Sequence, residues 1–129
     1  MTFTSPTDDI LFNSDGTLMN FLASGALSAG QCVTAGHADG YCELASVNDD
    51  ACIGVVVTTA AHGKPVSVAG PGCIVRCIVA GTSKCTIGDD LMVSGEGKVA
   101  NETAGTGTKI GIALETQATA DGTVKVLLC

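Results

Sequence analysis

Apolar and polar residues alternate most clearly over Cys73-Ile74-Val75-Arg76-Cys77-Ile78-Val79. A period of two places Cys73, Val75, Cys77 and Val79 on one face and Ile74, Arg76 and Ile78 on the other, as in a strand with one buried face. Val124-Lys125-Val126-Leu127-Leu128 opens with the same alternation. Turn-forming clusters punctuate the chain: Ala29-Gly30, Asp39-Gly40, Asn48-Asp49-Asp50, His62-Gly63, Gly70-Pro71-Gly72, Gly88-Asp89-Asp90, Gly95-Glu96-Gly97, Gly105-Thr106-Gly107 and Asp121-Gly122. Short β-branched runs lie between them. Turns at intervals of about eight to twelve residues predict an all-β fold, a β-sandwich or barrel-like domain. Helical periodicity is scarce, and Thr17 to Leu22 fits a turn or a strand equally.

The pattern repeats. Ser28-Ala29-Gly30-Gln31, Asp39-Gly40, Ile53-Gly54-Val55-Val56 and Gly63-Lys64-Pro65-Val66-Ser67-Val68 are followed in the same order by Thr86-Ile87-Gly88-Asp89, Glu96-Gly97, Ile110-Gly111-Ile112-Ala113 and Gly122-Thr123-Val124-Lys125-Val126. The matching glycines are 58, 57, 57 and 59 residues apart. Four ordered matches at nearly one offset predict two pseudo-repeated halves, about 28–70 and 86–128, each of four strands, in a β domain spanning 26–129. Residues 1–25 lie outside the echo and hold all three phenylalanines, Phe3, Phe12 and Phe21. They are expected to form an extended N-terminal arm. Phe3, Ile10, Leu11, Phe12 and Phe21 are its candidate contacts with a neighbouring subunit or a larger assembly, because large apolar side chains dominate interface energetics. Arg76, set in an otherwise apolar strand, is expected at the surface or in an ion pair across an interface.

Composition narrows the class. The 129 residues suit one domain, and 46% are hydrophobic while only 15% are charged. An ordinary soluble domain is about 25% charged. So sparse a polar surface implies a protein partly covered by copies of itself or by a larger assembly. Thirteen acids against six bases give a net charge of −7, which opposes nucleic acid and polybasic membrane contact. No apolar run reaches the roughly 18 residues of a spanning helix. The opening segment carries acids where a secretory signal carries bases, so synthesis in the cytoplasm is expected. Seven cysteines at 32, 42, 52, 73, 77, 85 and 129 include no C-x-x-C pair. In a reducing compartment they serve as small apolar core residues, and oxidation after release from the cell is the alternative.

No reactive constellation emerges from the motifs. Gly-x-Ser-x-Gly is absent, and His37 and His62 sit in turn settings. No His/Cys spacing matches a zinc site. Ala104-Gly105-Thr106-Gly107-Thr108-Lys109 lacks the G-x-x-x-x-G-K-[ST] order of a phosphate loop and runs into a strand pattern rather than a helix. Asp8-Asp9, Asp49-Asp50 and Asp89-Asp90 follow turn chemistry and no EF-hand order. The expectation is no enzyme, no catalytic residue, no metal and no cofactor. A carbohydrate- or host-surface-binding β module is the alternative, with Tyr41 the one aromatic outside the arm to stack on a sugar.

Taken in order, Ala26-Leu27-Ser28-Ala29-Gly30-Gln31-Cys32-Val33, Asp39-Gly40, Ile53-Gly54-Val55-Val56-Val57-Thr58-Thr59-Ala60, His62 to Val68, Thr86 to Val93, Gly97-Lys98-Val99-Ala100, Lys109 to Thr116 and Asp121 to Leu128 resemble the capsid cement, or decoration, proteins of tailed bacteriophages. Gln31 stands where that family usually carries Asp, and Asp89 keeps the acid in the second half. The resemblance implies a structural virion protein on the outside of the expanded icosahedral head. It further implies a homotrimer at three-fold positions, with the major capsid protein and further copies of itself as partners.

Overall fold

The alternation seen in the sequence becomes a pair of linked β units. The computed structural model describes residues 10–13, 18–36, 38–46, 52–80, 84–101, 109–117, 119 and 122–129. Among these lie eleven strands: β1 (Ile10–Asn13), β2 (Leu18–Ser24), β3 (Cys32–Ala35), β4 (Tyr41–Leu44), β5 (Cys52–Val56), β6 (Pro65–Ala69), β7 (Cys73–Ile78), β8 (Asp90–Val93), β9 (Val99–Asn101), β10 (Gly111–Ala113) and β11 (Thr123–Leu128). The fold is all-β. Strands β2-β4-β3-β5-β6 close into a barrel, and β1-β7-β11-β10-β8-β9 form a six-stranded sheet. Pairing is antiparallel except between β2 and β4, which run parallel with Leu22, Ala23 and Ser24 opposite Tyr41, Cys42 and Glu43. Segment 18–24, inside the stretch expected as an arm, is therefore a barrel stave paired with β6 from Leu18↔Ala69 to Leu22↔Pro65.

The two units share one pairing scheme. Strand order β4-β3-β5-β6 in the barrel matches β9-β8-β10-β11 in the sheet. The bridge Leu27↔Ala60 has its counterpart in Cys85↔Gln117. The correspondence extends to a fifth strand, since β2 flanks β6 as β7 flanks β11. Equivalent positions are buried in both units: Ala23, Val33, Cys42, Val56, Val66 and Val68 fill the barrel, and Val79, Leu91, Val99, Ala113, Val124 and Val126 fill the second core. Small and β-branched side chains suit a narrow barrel interior, where inward and outward residues alternate along each strand.

Two glycines set the spacing between strands. A Cβ on Gly54 would fall on the carbonyl oxygen of Ala69, inside any allowed contact. Its counterpart Gly111 would place one 2.5 Å from Val126 Cγ1 and 2.6 Å from the Leu127 oxygen. Both mark close approach of neighbouring backbones, the service a strand glycine performs.

The units differ at one seam, and there they join. In the barrel, the Leu22 N–H donates to the Gly40 oxygen at 2.7 Å and closes β2 on β4. At the equivalent place in the second unit, the Ile78 N–H donates instead to the Gly30 oxygen at 3.1 Å, and the Cys32 N–H donates to the Gly97 oxygen at 2.8 Å. The segment Gly30–Cys32 thus sits in the seam between β7 and β9. What remains of direct closure there is the parallel bridge Val79↔Val99. Cys32, Ala45, Val55 and Ala69 of the barrel accordingly belong to the second unit's core.

Candidate interaction surface

Strand β7 carries the alternation through: Cys73, Val75 and Cys77 are buried, and Ile74, Arg76 and Ile78 are half-buried on the outer face. Arg76 lies opposite Lys125 of β11, and its Nη1 is 3.6 Å from Glu115 Oε1. The same carboxylate oxygen accepts the Lys125 N–H at 3.1 Å. A half-exposed pair of this kind contributes little stability by itself. Its effect is to fix the hairpin that follows β10 against β11.

Next to this hairpin stands the turn Thr86–Asp89. Asp89 Oδ2 accepts the Thr86 N–H at 2.9 Å and also a hydrogen bond from the Asn101 amide. Gly88 adopts a positive φ of 90°, and its N–H donates to the Ala113 oxygen at 2.8 Å. In the first unit Gln31 Oε1 takes the role of the Asp89 carboxylate, accepting the Ser28 N–H at 2.8 Å. Replacing Asp89 by Ala leaves two donors without that acceptor and is expected to cost about 1–2 kcal/mol, read as a lower urea midpoint at unchanged slope.

The sequence-selected contact residues fall in different places. Phe3 lies outside the described residues, as do His37, the acid pairs Asp8-Asp9 and Asp49-Asp50, and the 105–107 glycine cluster. Ile10, Leu11 and Phe12 belong to β1, which pairs with β7 of the same chain at Ile10↔Val75 and Phe12↔Ile74. Phe21 is half-buried and packs on the barrel core. Arg76 is on the outer sheet face. The structure therefore brings the β1 residues and Arg76 to neighbouring strands and sends Phe21 to the barrel. The sequence pattern passed over the exposed apolar residues Ile87, Leu114 and Leu18. Aligning the halves would have shown two of them, since Ile87 stands where the first half has Ala29 and Leu114 where it has Val57.

His62 caps a turn, its Nδ1 accepting the Gly25 N–H at 2.9 Å. Among the described residues no three His, Cys, Asp or Glu side chains are grouped to hold a metal ion. No helix among them is long and apolar enough to cross a membrane. No disulfide links the seven cysteines: 32, 42, 73, 77 and 85 are buried, Cys52 is half-buried and Cys129 is exposed. A cleft lined by Cys52, Val55, Pro71, Lys109, Ile110 and Cys129 lies where β5 meets the chain end. Burial pushes the Cys42, Cys73 and Cys85 thiols up, a backbone hydrogen bond partly offsetting this at Cys42 and Cys73 and the Asp89 charge adding to it at Cys85. At Cys32 the hydrogen bond with Cys52 pulls down. Hydrogen bonding to Cys77, burial and the Cys77 charge together outweigh it, and the thiol rises well above the ordinary range.

These features define an all-β protein of two matched units joined through a plugged seam, offering turns and sheet faces as its surface. The chain belongs to the phage cement protein family, whose family model matches residues 14–128. It is a capsid-associated structural family. Among solved structures, the chain is similar to the head fiber gp8.5 N base of bacteriophage phi29, at 19% identity and a TM-score of 0.66, over 88% of this chain and 94% of that one. That likeness is one of fold. No curated protein matches the chain.

Proposed function

We propose that the protein is a cement protein that binds the outer surface of the expanded icosahedral head and stabilises it, acting as a homotrimer through its surfaces and without an active site. Membership of the phage cement family over nearly the whole described chain carries this reading. A protein that binds only the expanded lattice stabilises that lattice by linkage, and a trimer spanning several shell subunits adds valency to weak single contacts. Phe3 and the edge strand β1, with Ile10, Leu11 and Phe12, present contacts to a neighbouring copy or the shell, and the two halves act as one β domain. The acidic surface keeps the coat off nucleic acid, and the chain is made in the host cytoplasm and ends in the virion.

The test adds purified protein to undecorated expanded heads of its phage. Saturable binding, a rise in the melting temperature of the heads, and a sedimentation mass of three chains in reductant are the expected results. Heads that bind nothing and melt unchanged would overturn the cement role. A monomer both free and on the shell would overturn the trimer alone.

A further inference from the structure

Three thiols meet where the barrel wall faces the second core. Cys32 of β3 and Cys77 of β7 lie wholly buried in that core, and Cys52 of β5 packs against it half-buried. The Cys32 thiol is hydrogen-bonded to those of Cys52 and Cys77. A register shift produces the meeting. Cys32 pairs with Val55 and Val33 with Gly54, but Thr34 pairs with Cys52, so Ile53 is an extra residue on β5. Residues three apart on an unbroken strand face opposite sides. With the bulge, Cys52 and Val55 both face the second core, and Ile53 packs on the barrel core instead.

The three thiols differ in access and in support. Cys52 lines the cleft beside Pro71 and Lys109 and is the one of the three that solvent reaches. Its thiol donates to the Gly54 oxygen at 3.6 Å. Cys32 is fixed along its backbone, where its N–H donates to the Gly97 oxygen at 2.8 Å and its oxygen accepts the Ala45 N–H at 3.0 Å. It is also the last residue of the segment that plugs the seam. Cys129 stands on the cleft wall built by Ile110 and the end of β11, its N–H given to the Ile110 oxygen at 3.1 Å. An accessible thiol in contact with a fixed, buried one is the arrangement of a reactive cysteine and its resolving partner.

We propose that Cys52 and Cys32 form an oxidation site that a hydroperoxide converts to a disulfide, fastening the plug residue of β3 to β5. First the Cys52 sulfur attacks a peroxide oxygen. An S–O bond forms as the O–O bond breaks, Cys52 is oxidised to the sulfenic acid, and the peroxide is reduced, hydrogen peroxide leaving as water. Then the Cys32 sulfur attacks the Cys52 sulfur. The S–S bond forms, the S–O bond breaks, and the hydroxyl leaves with the Cys32 proton as a second water. Cys77 keeps its thiol. This chemistry is the same whether or not the protein sits on a capsid.

The experiment treats the full reduced chain with hydrogen peroxide at neutral pH, alkylates the remaining thiols after unfolding, and maps the peptides without reduction. The expected result is an intramolecular Cys32–Cys52 link with Cys77 alkylated, and a Tm raised by about 10 °C that returns to its starting value on reduction. Cys32→Ala should leave the sulfenic acid on Cys52, captured by dimedone, and Cys52→Ala should abolish the link. The wild-type map decides the matter whether or not either variant folds. A link from Cys52 to Cys129 or from Cys32 to Cys77 overturns the proposal. So does Cys52 carried to the sulfinic acid with Cys32 still alkylated, or a Cys52 that stays a thiol under peroxide that oxidises the exposed Cys129.

Discussion

Gly54→Ala is expected to lower the stability of the chain by about 3–5 kcal/mol, which for a domain of this size is a fall in Tm on the order of 12–20 °C. The added methyl would meet the carbonyl oxygen of Ala69 and, at 2.8 Å, Val68 Cγ1. The oxygen cannot retreat as a side chain can. It belongs to β6, which is held to β5 at Val55↔Ala69 and Val56↔Val68 and to β2 at Leu18↔Ala69, so relief requires opening the barrel. Gly111→Ala repeats the collision in the second unit, against Val126 Cγ1 and the Leu127 oxygen, and should be severe but milder because its approach to the backbone oxygen, at 2.6 Å, is less close than that at Gly54. Gly63→Ala is the control. Its φ is 78° with open space around the Cβ, so the expected cost is the left-handed backbone alone, about 1–2 kcal/mol. Urea unfolding of the three variants checks the order. A Gly54 variant no weaker than the Gly63 variant would mean that β5 and β6 do not approach this closely.

The legible part of this fold was its local chemistry. Strand β7 could be read because its alternation is uninterrupted, and the turns at Gly30, Gly40, Gly63, Gly88 and Gly97 because a positive φ there favours glycine. The equivalence of β2 and β7 was not legible. No glycine marks either strand, their offset is 56 rather than 58, and Phe21 in one stands where Cys77 lies in the other. The parallel β2–β4 pairing, which joins segments with β3 between them in the chain, leaves no local trace in either. Nor does the plugged seam. Gly30 reads as a turn glycine in both settings, and its contact with Ile78 depends on how two units pack after each has formed. The candidate surface was least legible, because Ile87 looks like turn filler until its exposure is set beside the buried duty of the matching turn.

The division of labour between the halves follows from that asymmetry. A duplicated unit offers two equivalent docking turns and two equivalent seams. Here the first turn fills the second seam, and the first seam is closed by its own strands. The arrangement uses up both partners of a head-to-tail contact within one chain. It removes a route to open-ended polymerisation, which heterologous contacts otherwise invite. One turn is left over, and it carries the larger apolar residues.

Four buried thiols set an alkaline limit on this structure. Cys32, Cys42, Cys73 and Cys85 are each fully shielded from solvent. Their thiols are raised from the ordinary value: burial is the leading cause at Cys42, Cys73 and Cys85, and at Cys32 burial acts with Cys77 against the Cys52 hydrogen bond. In the unfolded chain the same thiols lose their protons near pH 8.5. Above that pH the unfolded state binds fewer protons than the folded one, so stability falls as pH rises, by about 1.4 kcal/mol per unit per thiol while the folded thiols stay protonated. Four such groups set an upper bound of about 5 kcal/mol per unit on the slope, against a total stability of about 5–15 kcal/mol. Stability should be level up to about pH 8 and fall as pH rises past the unfolded thiol value of about 8.5. Urea midpoints in reductant at pH 7.5, 8.5, 9.5 and 10 measure the slope, and Cys42→Ala should reduce it by about a quarter because one of the four groups is gone. A midpoint that stays level to pH 10 would mean that these thiols ionise as readily in the folded chain as in water.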